Sequence, residues 1–476
     1  MDTNYKKNNS TSSKRELFQD KHNCITERRP FISAVKNNES IQAAFQDLKT
    51  SDNFLNAIDY FYKLIYQDNY KSIDFYSNGG FNDIITMIRP ETEFIILKYV
   101  LSISIKIVEE VFFYNLEFLN DDFCLNLKKM ILNKRGNEQK IILEFVKCML
   151  ENESMNEKIF LIMLRTNWID DFINDFIFHL QKSNIVITLN MLKAFSLLCN
   201  EQELNLFTPF LETNINIIYF GEDFKTQNLT TGEDPPTIIL QKDNFTDELI
   251  KKIRREAIFL LSILLRSSDN CKFCYNNNIE INLLKTIQYP IFDSFTYSYD
   301  CIYHLASKGF YPNKFKTILY YNLTENAIQN ANKSQIVHII DSINVSYQHD
   351  WIGLWDNDIV SDILSLLKYS CFEVKECSLN SILKFCKISQ SEFHIQKLLE
   401  MGFLDYSFPL VCSLSKETLL FFFEVLLYIW KLKYIFQDII LQNEPISTFQ
   451  QLLTNEDTEI RNAAECMYKE IEAKAK

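Results

Sequence analysis

Apolar residues recur along most of the chain with the spacing of an amphipathic helix. The segment Ala57–Tyr66 is typical, because Ile58, Phe61 and Ile65 share one helical face. From Ile41 onward, such segments of about 10–16 residues are separated by short polar turns. No stretch alternates apolar and polar residues with a period of two, so the pattern predicts helices and no strands.

The helical segments form an internal repeat. A polar turn introduces an apolar residue, and a helix with apolar residues four positions apart follows. The first apolar residues of successive units are separated by 42, 46, 46, 64, 80, 45 and 42 residues, and the gap of 80 corresponds to two periods. These residues are Phe81, Phe123, Ile169, Ile215, Ile279, Ile359, Leu404 and Ile446.

The turns between units favour residues that adopt a left-handed backbone. Armadillo units commonly place Gly at a helix end for this reason, and Asn is the next-best residue there. Asparagine recurs at or beside the turn in this chain, at Asn78, Asn167, Asn214, Asn278 and Asn357. The turn chemistry therefore supports the repeat that the spacing indicates.

A helical repeat of roughly 40–47 residues is typical of the armadillo/HEAT class. We therefore predict an all-α fold, a right-handed α-solenoid superhelix of nine or ten units over residues 41–476, with a concave groove. The gap of 64 residues contains a polar, Gly/Pro-rich insertion at 221–247, which predicts a flexible loop. Residues 1–40 are rich in Asn, Ser, Lys and Asp, and we predict a mostly disordered tail.

Composition supports this fold class. The chain has 476 residues with only 8 Gly and 9 Pro, too few for sandwiches, barrels or glycine-loop nucleotide folds. The 12 Cys lie in apolar stretches, and we expect them to be reduced core residues. The longest apolar run, Thr418–Trp430, is too short to span a bilayer, and the first forty residues lack a signal peptide. We therefore expect a soluble intracellular protein with no membrane partner.

Charge is distributed unevenly. Lys and Arg total 49 and Asp and Glu total 62, which gives a formal charge of −13. Residues 1–40 carry eight basic and five acidic side chains, so the tail is +3 and the rest −16. An acidic body argues against nucleic-acid binding, which needs a positive surface, and it suits a basic partner.

Signatures of enzymes are scarce. The chain has no G-x-x-x-x-G-K-[ST], no G-x-G-x-x-G and no H-E-x-x-H, so we predict no catalytic residues, no cofactor and no enzymatic activity. Cys271, Cys274, Cys301 and His304 have the spacing of a four-ligand zinc site. They also fall where repeat helices should pack, and ordinary core burial explains them. We therefore predict no metal.

Three segments resemble importin alpha, the armadillo adaptor that carries basic nuclear-localisation signals. Leu48–Ile88 is similar to the first armadillo unit of that family, including its Ser-Asp opening and its Gly before a helix. Arg255–Leu265, with the sequence REAIFLLSILL, resembles the inner helix of a middle unit. Ser447–Lys474 resembles the closing unit, with an Asn-Glu-Asp turn and a final helix.

The tail resembles the importin-beta-binding segment of the same family. That segment runs basic-x-x-Phe-x-x-Lys and then Glu-Arg-Arg, and Lys14–Val35 follows this outline. The resemblance implies that the tail binds an acidic importin-beta-type receptor, which agrees with a basic segment folding on an acidic solenoid. The residues implied are Lys14, Arg15, Phe18, Lys21, Arg28 and Arg29.

The groove departs from the family. The family binds its cargo with an inner-helix Trp and an Asn four residues later. Here Tyr99 stands where the first Trp belongs and Ile103 where its Asn belongs. Phe259 occupies the Trp position of a middle unit, and Glu151 stands near the groove Asp that holds a cargo lysine. Further pairs are Leu143 with Lys147, Lys193 with Leu197, Phe259 with Ile263 and Leu379 with Leu383.

The sequence favours two functions, and a metal-dependent enzyme is a distant third. One is an importin-alpha-like adaptor for nuclear import, present in cytoplasm and nucleus, with Tyr99, Glu151 and Phe259 as groove residues for basic nuclear-localisation-signal peptides. The other is an armadillo interaction scaffold that has lost such binding. An acidic, aromatic groove would favour the adaptor, and an apolar or basic groove the scaffold.

Overall fold

The computed structural model describes most of the chain, and regular structure among the described residues is helical, with no strand. Clustering in space divides the chain into two compact units, Met1–Lys63 and Leu64–Lys476. The predicted tail residues 1–37 lie outside the described residues, and the first helix begins within the predicted tail, at Asn38. The described residues are 38–50, 53–67, 70–113, 115–134, 136–171, 184–218, 246–277, 294–310, 324–329, 331–368, 371–442 and 445–475.

The first unit contains the helix α1 (Asn38–Asp47) and most of the helix α2 (Phe54–Tyr66). Phe61 is fully buried, and its ring centroid lies 4.6 Å from that of Phe45 on α1. Ile58, on the same side of α2, is also fully buried. The apolar face predicted for this segment is therefore the face that packs.

The helices of the second unit follow in chain order. They are α3 (Ser72–Ser77), α4 (Gly80–Ile85), α5 (Phe94–Glu110), α6 (Asp121–Asn133), α7 (Gly136–Glu151), α8 (Asn156–Arg165), α9 (Trp168–Asp171), α10 (Ile185–Ser196), α11 (Thr208–Ile218), α12 (Asp247–Leu264), α13 (Ser268–Asn276), α14 (Ser294–Ser307), α15 (Lys333–Asp356), α16 (Ile359–Leu366), α17 (Phe372–Ser389), α18 (Glu392–Glu400), α19 (Phe403–Ser407), α20 (Lys416–Leu432), α21 (Tyr434–Gln442), α22 (Pro445–Leu452) and α23 (Thr458–Ala475). The described residues also include two 3₁₀ helices. Glu203–Phe207 directly precedes α11, and Phe408–Ser413 directly follows α19.

These helices are arranged in three-helix units. A short first helix, a second helix and a long third helix follow one another in α3–α4–α5, α8–α9–α10, α18–α19–α20 and α21–α22–α23. Each long third helix packs against the third helix of the next unit. We call these the ladder helices, and in the described part of the chain they are α5, α7, α10, α12, α14, α15, α17, α20 and α23. The second unit is thus an all-helical solenoid, as predicted.

Contacts between neighbouring ladder helices repeat with the period seen in the sequence. Ser342 Oγ donates to the Tyr299 carbonyl at 2.8 Å, and the residues are 43 apart. Cys301 Sγ of α14 lies 4.0 Å from the Ile258 carbonyl of α12, again 43 residues away. Because the same separation recurs in two successive helix pairs, α12, α14 and α15 occupy equivalent places one unit apart.

Left-handed residues separate the first and second helices of the units. Gly79, Asn167, Asp358 and Gly402 have φ values of 82°, 51°, 62° and 86°. Asn167 was predicted for this role, and Asn78 and Asn357 immediately precede two of the four turns. The predicted turn at Asn278 lies outside the described residues.

The turn predicted at Asn214 is wrong. Asn214 lies inside α11, is fully buried, and its Nδ2 donates to the Ala257 carbonyl at 3.0 Å. Ile215 is therefore not the first apolar residue of a unit, because this second helix already begins at Thr208. A buried Asn that satisfies a neighbouring helix and a turn Asn look alike in a single sequence.

Most of the predicted insertion, 221–245, lies outside the described residues. Its predicted end falls one residue too late. Thr246 caps α12, since its Oγ1 accepts a hydrogen bond from the Leu249 N–H at 3.3 Å, and Asp247 is the first helical residue. No helix in the described ranges is long and apolar enough to cross a bilayer.

We expect Gly402→Ala to lower the free energy of unfolding by about 1–2 kcal/mol, because an L-residue is strained in the left-handed region. The added Cβ would also lie 3.0 Å from Asp405 Oδ2. Gly79→Ala is the matched control, since φ is similar but no atom lies within 4 Å of its Cβ. Urea denaturation followed by circular dichroism should show a loss for both and a larger loss for Gly402→Ala.

Candidate binding surface

The ladder helices share one pattern of burial. Tyr299, Ile302 and Ala306 of α14 are buried, and so are the residues 41 positions later on α15, Ile340, Ile343 and Tyr347. Positions on successive ladder helices can therefore be matched. We call the sides of these helices that remain uncovered the ladder face.

Six consecutive ladder helices, from α7 to α17, each carry a partly or fully exposed residue at the same matched position. It carries three carboxylates, two amides and one aromatic ring, and we call it the first row. Its residues are Glu144, Asn190, Phe259, Asp300, Asp341 and Asn380.

At the position four residues further along each of these helices, the burial of the side chain differs between the two halves of the row. Cys148, Ala194 and Ile263 are buried at this position in the first three helices of the row. In the last three, His304 and Val345 are half-buried and Lys384 is exposed. The surface is therefore more open in its C-terminal half.

The three groove residues predicted from the sequence all reach solvent. Tyr99 is half-buried on α5, and Glu151 is exposed at the end of α7, where its carboxylate lies 2.9 Å from Lys147 Nζ. Phe259 is half-buried in the first row. Tyr99 lies three residues before the first-row position of α5, which is Ser102.

The predicted register of the Trp/Asn positions is wrong in several units. Ile103, Leu143, Leu379 and Leu383 are fully buried in the core and cannot contact a partner. Ladder helices are apolar on three sides, so only packing reveals which positions remain exposed. In the predicted pair Phe259 and Ile263, Phe259 reaches the surface as part of the first row, whereas Ile263, four residues later, is buried.

Phe259 is the centre of a small cluster. Its ring stacks on Tyr297 of α14 with centroids 4.1 Å apart and an interplanar angle of 6°. Lys193 Nζ lies 4.7 Å from the Phe259 centroid and 2.7 Å from Glu256 Oε2. Three neighbouring ladder helices therefore hold an aromatic and charged platform in one place.

A pocket of about 680 Å³ opens on the C-terminal half of the ladder face. It receives side chains from α14, α15, α17 and α20 and from Arg266, just beyond α12. Its walls combine apolar and charged groups. They are Arg266, Asp300, Tyr303, His304, His338, Asp341, Asn344, Val345, Gln348, Lys384, Lys387, Ile388 and Phe421.

The pKa values of the two pocket histidines are shifted in opposite directions. His338 Nδ1 lies 3.0 Å from Asp300 Oδ1, and this hydrogen bond raises the pKa of His338. Burial lowers the pKa of His304 to about 4, and Arg266 and Lys308 contribute to the same direction. Burial also raises the pKa of Asp341. Of the two histidines, His338 is therefore the one whose charged form its surroundings favour.

We expect Asp300→Asn to lower the pKa of His338, because the carboxylate that stabilises the imidazolium is removed. The raised pKa means that the pair stabilises the fold below about pH 6.5, and this contribution is lost as pH rises through the folded-state value. NMR titration of the histidine ring protons measures the shift. Asp405→Asn, outside the pocket, should leave His338 unchanged, and an unchanged His338 in Asp300→Asn would contradict the pairing.

The Cys/His constellation does not form a metal centre in the described part of the chain, where no group of three or more potential ligands converges. Cys271 Sγ donates to the Leu265 carbonyl at 2.9 Å, and burial raises the pKa of its thiol to about 12. Cys274 and Cys301 are fully buried, whereas His304 lies on the ladder face. Ordinary core packing accounts for the three cysteines.

The residues implied for receptor binding lie outside the described residues: Lys14, Arg15, Phe18, Lys21, Arg28 and Arg29. The pocket residues Asp300, His338, Asp341 and Lys384 were not predicted from the sequence. A signal was present, because Asp300 and Asp341 interrupt apolar ladder helices at positions one repeat apart.

No protein-family model and no curated protein matches the sequence. Among solved structures, an engineered protein is similar over 91% of this chain and 98% of its own, with a TM-score of 0.70 and 11% identity. A designed armadillo repeat protein in complex with the peptide (KR)4 matches 48% of this chain and 95% of its own, with a TM-score of 0.41 and 16% identity. The first likeness concerns the fold alone.

Proposed function

We propose that this protein is a non-enzymatic interaction scaffold whose ladder face binds an extended segment of a partner protein. The observation that carries this proposal is the first row, where six consecutive helices present a solvent-accessible group at equivalent positions. Regularly spaced side chains on a solenoid suit a partner whose own groups repeat along an extended backbone.

The spacing and the side chains of the first row suit an extended peptide better than a small molecule. The helices of a packed pair lie about 8–10 Å apart, and an extended peptide rises about 3.3 Å per residue. Each ladder helix would therefore meet about every third residue of the partner. Amides such as Asn190 and Asn380 can bond a peptide backbone, and the Phe259 platform can receive a side-chain stem.

Selection of displayed twelve-residue peptides on the full-length protein tests this function. The variants Glu144→Arg and Asp341→Arg change two distant positions of the first row. Glu157→Arg is the matched control, because Glu157 is exposed on α8. We expect affinities of selected peptides to change at least tenfold in one or both row variants and to stay constant in the control. If neither Glu144→Arg nor Asp341→Arg changes the affinity, the ladder face is excluded as the binding surface.

The second candidate is the importin-alpha-like adaptor, in which the tail binds an importin-beta-type receptor and the ladder face binds basic nuclear-localisation-signal peptides. The tail resemblance and the carboxylates Glu144 and Glu151 on α7 support it. The cations Arg266, Lys384 and Lys387 in the pocket oppose basic cargo there. Such an adaptor would be present in both cytoplasm and nucleus.

Fluorescence anisotropy with a labelled Lys/Arg-rich peptide tests the adaptor. Micromolar or tighter, salt-sensitive binding that weakens in Glu144→Gln with Glu151→Gln would support it. In a separate calorimetric titration, Arg28→Glu with Arg29→Glu should abolish binding of an importin-beta-type receptor to the full chain. Absence of both interactions leaves the scaffold alone.

A further inference from the structure

The C-terminal pocket contains cations that the protein does not neutralise, although the chain as a whole carries −13. Within the described part of the chain, Arg266 and Lys384 form no salt bridge or hydrogen bond, although Lys384 interacts electrostatically with the Asp341 carboxylate. Lys387, in contrast, lies 2.7 Å from Glu424 Oε1. Unpaired cations gathered in a pocket of an acidic protein point to an anionic group from elsewhere.

The carboxylates of the pocket do not cancel these cations. Asp300 is paired with His338, whose Nδ1 lies 3.0 Å away. Asp341 remains, and its burial disfavours the charged form. Arg266 and Lys384 therefore outnumber Asp341, the one remaining carboxylate, and the net charge of these three groups is positive.

One residue that lines the pocket, Asn344, has an unsatisfied hydrogen-bond acceptor. Asn344 is only 7% exposed, and its Oδ1 has no hydrogen-bond partner among the described residues. Leaving such an atom unsatisfied costs about 1–3 kcal/mol. The oxygen is itself buried, so a bound N–H recovers this cost once the Asn344 amide turns toward the pocket. A peptide backbone carries that donor, whereas a free carboxylate or a phosphate does not.

We propose that this pocket binds an extended acidic peptide segment of a partner protein, with carboxylate side chains at Arg266 and at Lys384 and a backbone N–H at the Asn344 amide. This rests on the proposed scaffold function and assigns the chemistry of its partner in this half of the ladder face. Val345, Ile388 and Phe421 provide apolar wall for the side-chain stems.

Geometry sets the spacing of the acidic residues. Arg266 follows α12 and Lys384 lies on α17, three helix-to-helix steps along the ladder. At about 8–10 Å per step and about 3.3 Å per residue, the two carboxylates lie roughly eight residues apart. A nucleic acid fits poorly, because its evenly repeated phosphates would meet Asp300 and Asp341 between the two cations.

A labelled ten-residue peptide with Glu at its first and ninth positions, separated by alternating Leu and Ser, tests the proposal by anisotropy with the full-length protein. We expect at least tenfold tighter binding than for the same peptide with Gln at both positions, and weaker binding in higher salt. Arg266→Gln and Lys384→Gln should each weaken the Glu peptide about three- to tenfold and leave the Gln peptide unchanged.

The control is Lys397→Gln, which removes an exposed lysine on α18 that pairs with Glu400 at 2.8 Å. It should not change the affinity. Equal binding of the Glu and Gln peptides, or no effect of Arg266→Gln and Lys384→Gln, would overturn the acidic-segment proposal. The scaffold would still stand if selected peptides respond to Glu144→Arg or Asp341→Arg, so the two failures are distinguishable.

Discussion

Phe385→Ala should lower the free energy of unfolding by about 3–5 kcal/mol, the range for truncating a buried aromatic residue. Phe385 on α17 is fully buried. Its ring is stacked on Trp355 with centroids 5.4 Å apart, and it also contacts Trp351 and Tyr347 at 6.2 and 5.7 Å. Removing the ring leaves a cavity between α15 and α17 that rigid neighbours fill only in part.

The loss should be confined to part of the solenoid. Stability in repeat proteins is close to a sum of unit and interface terms, so a weakened interface lets neighbouring units unfold separately. Urea denaturation should therefore show a less cooperative transition, with tryptophan fluorescence changing earlier than the helical signal. Trp351 and Trp355 report on the affected interface directly.

Phe393→Ala is the matched control, because Phe393 lies on α18 in the next unit and is 61% exposed. Its ring contacts His394 at a centroid distance of 5.2 Å. We expect a change within about 0.5 kcal/mol, as for most surface substitutions. Equal losses in both variants would mean that the Phe385 contacts do not hold the interface.

The fold could be predicted from the sequence because its determinants are local. Apolar spacing marked the helices, and the period marked the units. Asn167, which is left-handed in the structure with a φ of 51°, stands where such a turn was predicted. The turn predicted at Asn214 was wrong, because the side chain of Asn214 donates to the Ala257 carbonyl, 43 residues away. No local pattern distinguishes that role from a turn.

The ladder face was harder to predict because burial there is decided by the neighbouring helices. Tyr99 and Ile103 look equally able to face a groove, yet Ile103 is fully buried. The pocket depends on Arg266, Asp300 and Lys384, which lie on separate ladder units. Only the structure brings them together, so the charge of this site could not be read from the acidic composition.

Lys193→Met should lower the free energy of unfolding by about 2–4 kcal/mol, because it leaves the Glu256 carboxylate without its cation in a largely buried site. Lys193 Nζ lies 2.7 Å from Glu256 Oε2 and 3.0 Å from Asn190 Oδ1. The two charged side chains are only 17% and 12% exposed, so water cannot replace the lost partner fully.

A double-mutant cycle separates the pair from the cost of an unpaired charge. Lys193→Met with Glu256→Met removes both charges, and we expect it to recover most of the stability that Lys193→Met loses. Lys147→Met is the matched control, since Lys147 holds the equivalent position on α7 but pairs with Glu151, which is 48% exposed. That surface pair should be worth less than about 1 kcal/mol. If the double variant is no more stable than Lys193→Met, then an unpaired Glu256 carboxylate does not cause the loss, and the cation–π contact of Lys193 with the Phe259 ring accounts for it instead.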